Sequence, residues 1–195
     1  MEFPASEKHN QADVLTMTLS GANASAAAEP LQATGGVSNY YIGNDPSKWV
    51  EGVPNYARVR YGEVYSGIDV VYQGDNRPLR YDFLVKPGAD PRSVQMDYEN
   101  STGISLDPQG NLLVAVAGAK IIGSKPVIYQ EIGGRKRYVD GGYVLNGDNR
   151  AGFRIGRYDP AETLIIDPTT STYGTYVGPP FTGDFSSEIN AVTNG

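Results

Sequence analysis

The chain has 195 residues, 39% of them hydrophobic and 19% charged, with a net charge of −6 and no cysteine. That is enough apolar material for one substantial core with a short appendage, and too much for a disordered chain. The acidic balance argues against nucleic acid and against docking on anionic lipid, and the lack of cysteine excludes disulfides and thiolate zinc sites.

Residues 1–12 read as a loose polar segment without a hydrophobic signal core, and they hold the only histidine, His9. "VLTMTL" (14–19) alternates, with Leu15, Met17 and Leu19 on one side, as a half-buried strand does. "SGANASAAAEPLQATGG" (20–36) reads as a loop of small residues. "SNYYIGNDPSKWVEGVPNY" (38–56), broken by Pro46 and Pro54, reads as a packed aromatic loop anchored by Trp49.

From Ala57 onward, strands and turns alternate: "ARVRY", "IDVVYQ", "LRYDFLV", "VQMDYE", "GISLD" and "NLLVAV". "KPVIYQEIGGRKRYVDGGYVL" predicts a hairpin on Gly133-Gly134, and "FRIGRY" and "ETLIIDP" close the series. No stretch shows a capped helical period. The expected fold is therefore all-β: an antiparallel β-sandwich, or two packed antiparallel sheets, with a long aromatic-rich loop. Residues 13–168 form the β-rich domain. Residues 169–195, rich in Thr, Ser and Gly, read as a linker leading into a further unit.

Residues 69–83, "DVVYQGDNRPLRYDF", carry the main chemical question. A hairpin turn of two or four residues pairs Val70 with Tyr81 and Tyr72 with Leu79, and a slip by one residue would seat arginine among apolar partners. That register sets Asp69 directly opposite Asp82, with Arg80 beside them and Arg58 and Arg60 on the same face. Opposed like charges destabilise a sheet, so something must compensate them. Three roles compete. Asp69, Asp82, Arg80 and Arg60 could form an ion-pair network. The two aspartates could hold calcium through oxygen ligands, although no loop has the D-x-[DN]-x-[DN]-G spacing. They could also be the acid pair of a glycoside hydrolase. Other catalysis has little to work with: His9 is isolated, and there is no nucleophile elbow, P-loop or G-x-G-x-x-G. Trp49 with Tyr40 and Tyr41 is the candidate aromatic platform for a glycan, set against the ordinary use of tyrosine in strand packing.

"LSGAN", "SNYYIGNDPSKW", "VPNYARVRYGEVYSGIDVVYQG", "LRYDFLVKPGADP", "KPVIYQEIGG" and "LIIDP", in that order, give the chain a family resemblance. It resembles the uncharacterised β-rich domain that precedes SBBP (seven-bladed β-propeller) repeats in large, often exported, bacterial proteins. The likeness covers residues 14–168. "STYGTYVGPPFTGDFSSEINAV" is similar to the opening of a first repeat, but puts Pro179-Pro180 where the repeat carries a Gly-rich turn. That family's domain generally has further strands upstream, so the resemblance implies a fragment. It further implies an extracellular or cell-surface accessory domain, with adjacent propeller repeats as partner and no catalytic residues. The alternatives are the glycoside hydrolase using Asp69 and Asp82 and a carbohydrate-binding module using Trp49 and its tyrosines. Neither nucleic acid nor membrane insertion is expected.

Overall fold

A computed structural model of the chain describes residues 14–74, 80–116, 119–168, 170–171, 175–177 and 189–192. The expected loose segment 1–12, the tip of the 69–83 hairpin and most of the tail lie outside the described residues.

The strands in chain order are β1 (Val14–Leu19), β2 (Ala28–Tyr40), β3 (Val50–Tyr65), β4 (Ile68–Gln73), β5 (Arg80–Val85) and β6 (Gln95–Glu99). They continue as β7 (Gly103–Leu106), β8 (Leu112–Val116), β9 (Ala119–Gly123), β10 (Val127–Ile132), β11 (Arg135–Tyr138) and β12 (Gly141–Leu145). Last come β13 (Arg150–Ile155), β14 (Leu164–Asp167), β15 (Thr170–Ser171), β16 (Thr175–Val177) and β17 (Ile189–Val192). They build three antiparallel sheets, ordered β12-β13-β6-β1-β17-β16, β11-β10-β14-β5-β4-β3-β2 and β15-β9-β8-β7. The only helical pieces among the described residues are two 3-10 turns, Pro46–Lys48 and Pro91–Ser93, each capped by the aspartate before its proline.

Side-chain parity explains the packing. Leu15, Met17 and Leu19 of β1 and Met96 and Phe153 of its sheet turn inward. They meet Val70, Phe83, Leu164 and Ile166 of the seven-stranded sheet. Phe83 and Phe153 stand edge to face with centroids 5.6 Å apart, which ties the two sheets together. Leu112, Val114 and Ile121 of the four-stranded sheet join the same apolar cluster. The all-β expectation holds, with three sheets where one sandwich was the simplest reading.

Several local readings need correction. The small-residue segment before Tyr40 is not all loop. Ala28–Tyr40 is a strand on the edge of the seven-stranded sheet, and shifts in its register with β3 absorb what the small residues cannot pair. "AKIIG" (119–123), not singled out in the sequence, pairs with β8 as β9. The aromatic segment 38–56 is not packed. The β2–β3 ladder runs from Ala28↔Tyr61 out to Tyr40↔Val50, whereas β4 first meets β3 at Arg58↔Gln73. Residues 50–57 and their β2 partners therefore project as a two-stranded arm about 25 Å long. Side-chain bonds brace it where a core cannot: Ser38 Oγ donates to Asn55 Oδ1 (2.8 Å), and the Gly52 amide donates to Asn39 Oδ1 (2.8 Å).

The turn between β3 and β4 is a tight point. Gly67 has φ +71, and a Cβ there would lie 2.7 Å from the Ala89 Cβ. Gly88 has φ +81 but open space around it. Gly67→Ala should therefore cost about 2 kcal/mol in urea denaturation and Gly88→Ala only about 1 kcal/mol, since the second change meets backbone strain without a clash. Equal costs would count against the close approach at Gly67.

Candidate functional site

The face of the seven-stranded sheet that points away from the core carries the charged residues. On β4 and β5 the inward set is Ile68, Val70, Tyr72, Tyr81, Phe83 and Val85, so Asp69 and Asp82 share the outer face. The observed pairs are Asp69↔Leu84 and Val71↔Asp82, with the ladder ending at Gln73↔Arg80. Six residues thus separate the strands, instead of two or four. The parity is as read, but the register is displaced by two residues. Asp69 and Asp82 are diagonal neighbours, about 7–8 Å apart at the backbone.

Each aspartate has its own surroundings. Asp69 is 3% exposed. Its Oδ1 accepts from the Glu63 amide (2.8 Å) and pairs with Lys86 Nζ (2.9 Å), while Arg60 Nη1 stands 4.0 Å from Oδ2. The Glu63 amide is available because the β3–β4 register shifts between Tyr61 and Tyr65, where Glu63 takes φ +55. Arg60 is held on its other side by Glu29, and Lys86 by Glu63. The Lys86 hydrogen bond and the Gly67 amide draw the Glu63 carboxyl below its usual range.

Asp82 is 8% exposed, and its Oδ2 accepts from Gln73 Nε2. Its Oδ1 is buried and has no hydrogen-bond partner among the described residues. Arg80 does not bond Asp82; its Nη2 pairs with Asp167 Oδ2 at 3.0 Å. The β5–β14 ladder, Ile165↔Leu84 and Ile166↔Phe83, leads one step further to Asp167 beside Asp82. Burial first, and then the Asp167 carboxylate, push Asp82 up to about 6, against the pull of Arg80, the Gln73 bond and Arg58.

The carboxylate neighbour of Asp82 is therefore Asp167, which the sequence reading missed. Its parity was legible, since Leu164 and Ile166 of "LIIDP" claim the inner face. Its partner was not, because β5 and β14 are joined only through the tertiary fold. Of the proposed network, Asp69 and Arg60 meet, whereas Asp82 and Arg80 belong to a second cluster with Gln73 and Asp167. Lys86 and Glu63 complete the first cluster and were also missed. Among the described residues no three acidic, histidine or cysteine side chains converge as a metal site would require. The two aspartates are both buried and do not face one another directly across the ladder.

The aromatic candidates lie elsewhere, on the projecting arm. Tyr40, Tyr41 and Trp49 are 49%, 55% and 40% exposed. Tyr41 and Trp49 contact edge to face, with centroids 5.2 Å apart and planes at 86°. The Tyr41 hydroxyl donates to Glu51 and Trp49 Nε1 to the Gly43 carbonyl, so both polar tips are engaged. Crossed rings do not form the coplanar shelf on which one sugar ring stacks against both. Val37, Ile42, Val50 and Tyr56 are exposed on the same arm, giving it an apolar surface of some extent.

Compared with known proteins, residues 2–169 match the model of a family described as "Domain of unknown function (DUF7948)". No curated protein and no solved structure matches the chain.

Proposed function

Since the chain belongs to the DUF7948 family, whose description assigns no activity, we propose from the geometry that it is a non-catalytic accessory β domain that engages an adjoining β structure through its arm. The observation that carries this reading is the β2–β3 ribbon, which holds Tyr40, Tyr41, Ile42, Trp49 and Val50 in solvent. A two-stranded ribbon is marginal alone in water, and contiguous exposed apolar surface marks interaction sites. The partner we propose is the SBBP-repeat propeller implied by the sequence resemblance, within an exported, surface-associated bacterial protein. A propeller offers terminal sheet edges and apolar blade faces suited to such an arm. β16 and β17 follow the family-matched residues and add to the edge of β1 through Val14↔Val192 and Leu15↔Ala191.

Titration calorimetry of the chain against a purified SBBP-repeat propeller tests the proposal. Binding is expected, and the double variant Tyr41→Ala/Trp49→Ala should weaken it at least about tenfold, as loss of aromatic anchors does. Circular dichroism should be unchanged, because both rings lie outside the core. No binding, or binding indifferent to those residues, would reject the arm as the docking element. Neutral-glycan binding that depends on Trp49 would favour a carbohydrate-binding module instead.

A further inference from the structure

A second site lies away from the arm, where the Pro91–Ser93 turn, β12, β13 and Tyr158 converge on a cavity of about 540 Å³. That volume is typical of small-molecule sites. Val144 and Tyr158 line it together with Gln95, Asn146 and Arg154. Gly152 lies at the centre of the adjoining strands, paired with Gln95 on one side and Val144 on the other. A Cβ there would come within 2.9 Å of Asn146 Nδ2 and 3.1 Å of Gln95 Nε2, so the glycine gives the two amides their seat.

Those amides are held in place before any ligand arrives. Asn146 Nδ2 donates to Gln95 Oε1 (2.7 Å), and Gln95 Nε2 donates to the Arg92 carbonyl (2.9 Å). The Asn146 carbonyl oxygen and the second N–H of each amide remain for other partners. The charges divide unequally. Asp90 and Arg92 neutralise each other, with Arg92 Nε and Nη2 both donating to the same carboxylate. Among the described residues Arg154 pairs with Asp140, outside the cavity, at 3.5 Å, and both side chains are well exposed. The Arg154 guanidinium is thus held by a single solvent-exposed carboxylate that a ligand's carboxylate can displace.

We propose that this cavity binds a carboxylate-bearing sugar unit, its carboxylate on Arg154, its hydroxyls on the Asn146–Gln95 amides and its carbon face on Val144 and Tyr158. A carboxylate suits the planar fork of arginine. Hydroxyls suit the mixed donor and acceptor groups of amides. The apolar wall suits the C–H face that a pyranose presents and a simple anion lacks. The inference is independent of the arm's role, since no arm residue lines the cavity.

The test is NMR or calorimetric titration of the full chain with D-glucuronate, using D-glucose and acetate as controls. Glucuronate should bind more tightly than either control, and Arg154→Gln should raise its Kd about tenfold while leaving the melting temperature unchanged. Tyr41→Ala/Trp49→Ala should leave glucuronate binding intact, so failure of the arm reading would not carry over. Acetate binding equal to glucuronate would overturn the sugar, and glucose binding equal to glucuronate would overturn the role of the charge. No glucuronate binding in the millimolar range, or binding insensitive to Arg154→Gln, would overturn the site.

Discussion

Asp69→Ala should lower the unfolding free energy by about 3 kcal/mol at pH 7, read as a fall in the urea midpoint at constant slope. The cost comes from what the carboxylate satisfies. Its Oδ1 is the acceptor for the Glu63 amide, in a backbone held at φ +55, and the partner of Lys86. Without it the Glu63 N–H is left in a partly buried bulge, and Arg60 loses the buried one of its two acidic neighbours. Asp69→Asn should cost less, about 1–2 kcal/mol, because the amide oxygen can still accept from Glu63 while the charge is gone. A change below about 0.5 kcal/mol for Asp69→Ala would mean that water replaces the carboxylate at no cost, and the strut reading would be lost.

The second aspartate should behave in the opposite way. Asp82 lies beside Asp167, one of its oxygens has no partner among the described residues, and its folded pKa is raised to about 6 from 3.8. A raised carboxyl pKa means that the folded state holds the proton more tightly than the unfolded state. The associated stability is therefore full below pH 3.8 and is lost as pH rises through about 6. Asp82→Asn removes that loss, because a neutral amide can accept from Gln73 and donate toward Asp167. The variant should exceed the parent by about 2–3 kcal/mol at pH 8, with the difference closing toward zero near pH 4. Carboxylates drawn down by arginine, such as Asp97 under Arg150, impose the opposite slope in acid. They are present in both proteins, so they cancel in the difference. Urea midpoints at several pH values would measure it, and a variant less stable than the parent at pH 8 would contradict the assigned environment of Asp82.

Had the two aspartates worked as one reactive pair, both substitutions should abolish a common activity. The geometry instead gives them separate partners and opposite effects on stability. That difference was hidden in the sequence for a definite reason. Alternation fixed which side chains of "IDVVYQ" and "LRYDFLV" face the core, because Val70, Tyr81 and Phe83 are buried and Tyr72 packs against them. It could not fix the turn length, and a shift by two residues leaves every side chain on the same face. Asp69 moved from facing Asp82 to facing Leu84 without violating any pattern.

The partners that matter came from further away. Lys86 sits just beyond the end of β5, Glu63 owes its inward amide to a bulge, and Asp167 arrives on a strand joined to β5 only in the folded sheet. The bulge between Tyr61 and Tyr65 sets the direction of the Glu63 N–H, which side-chain alternation does not record. The arm shows the converse. Its prolines and aromatics look like those of a packed loop, since composition carries no record of whether a third strand lies alongside. The Gly133-Gly134 hairpin was legible throughout, because both glycines take positive φ in a two-residue turn that demands it.

The most direct check is a double-mutant cycle on Asp69→Ala and Asp82→Asn, measured by urea denaturation at pH 8. Separate clusters without shared partners predict additivity, with a coupling energy no greater than about 0.5 kcal/mol. A coupling well above about 1 kcal/mol would show that the two carboxylates act on each other, and would restore the paired site that this fold separates.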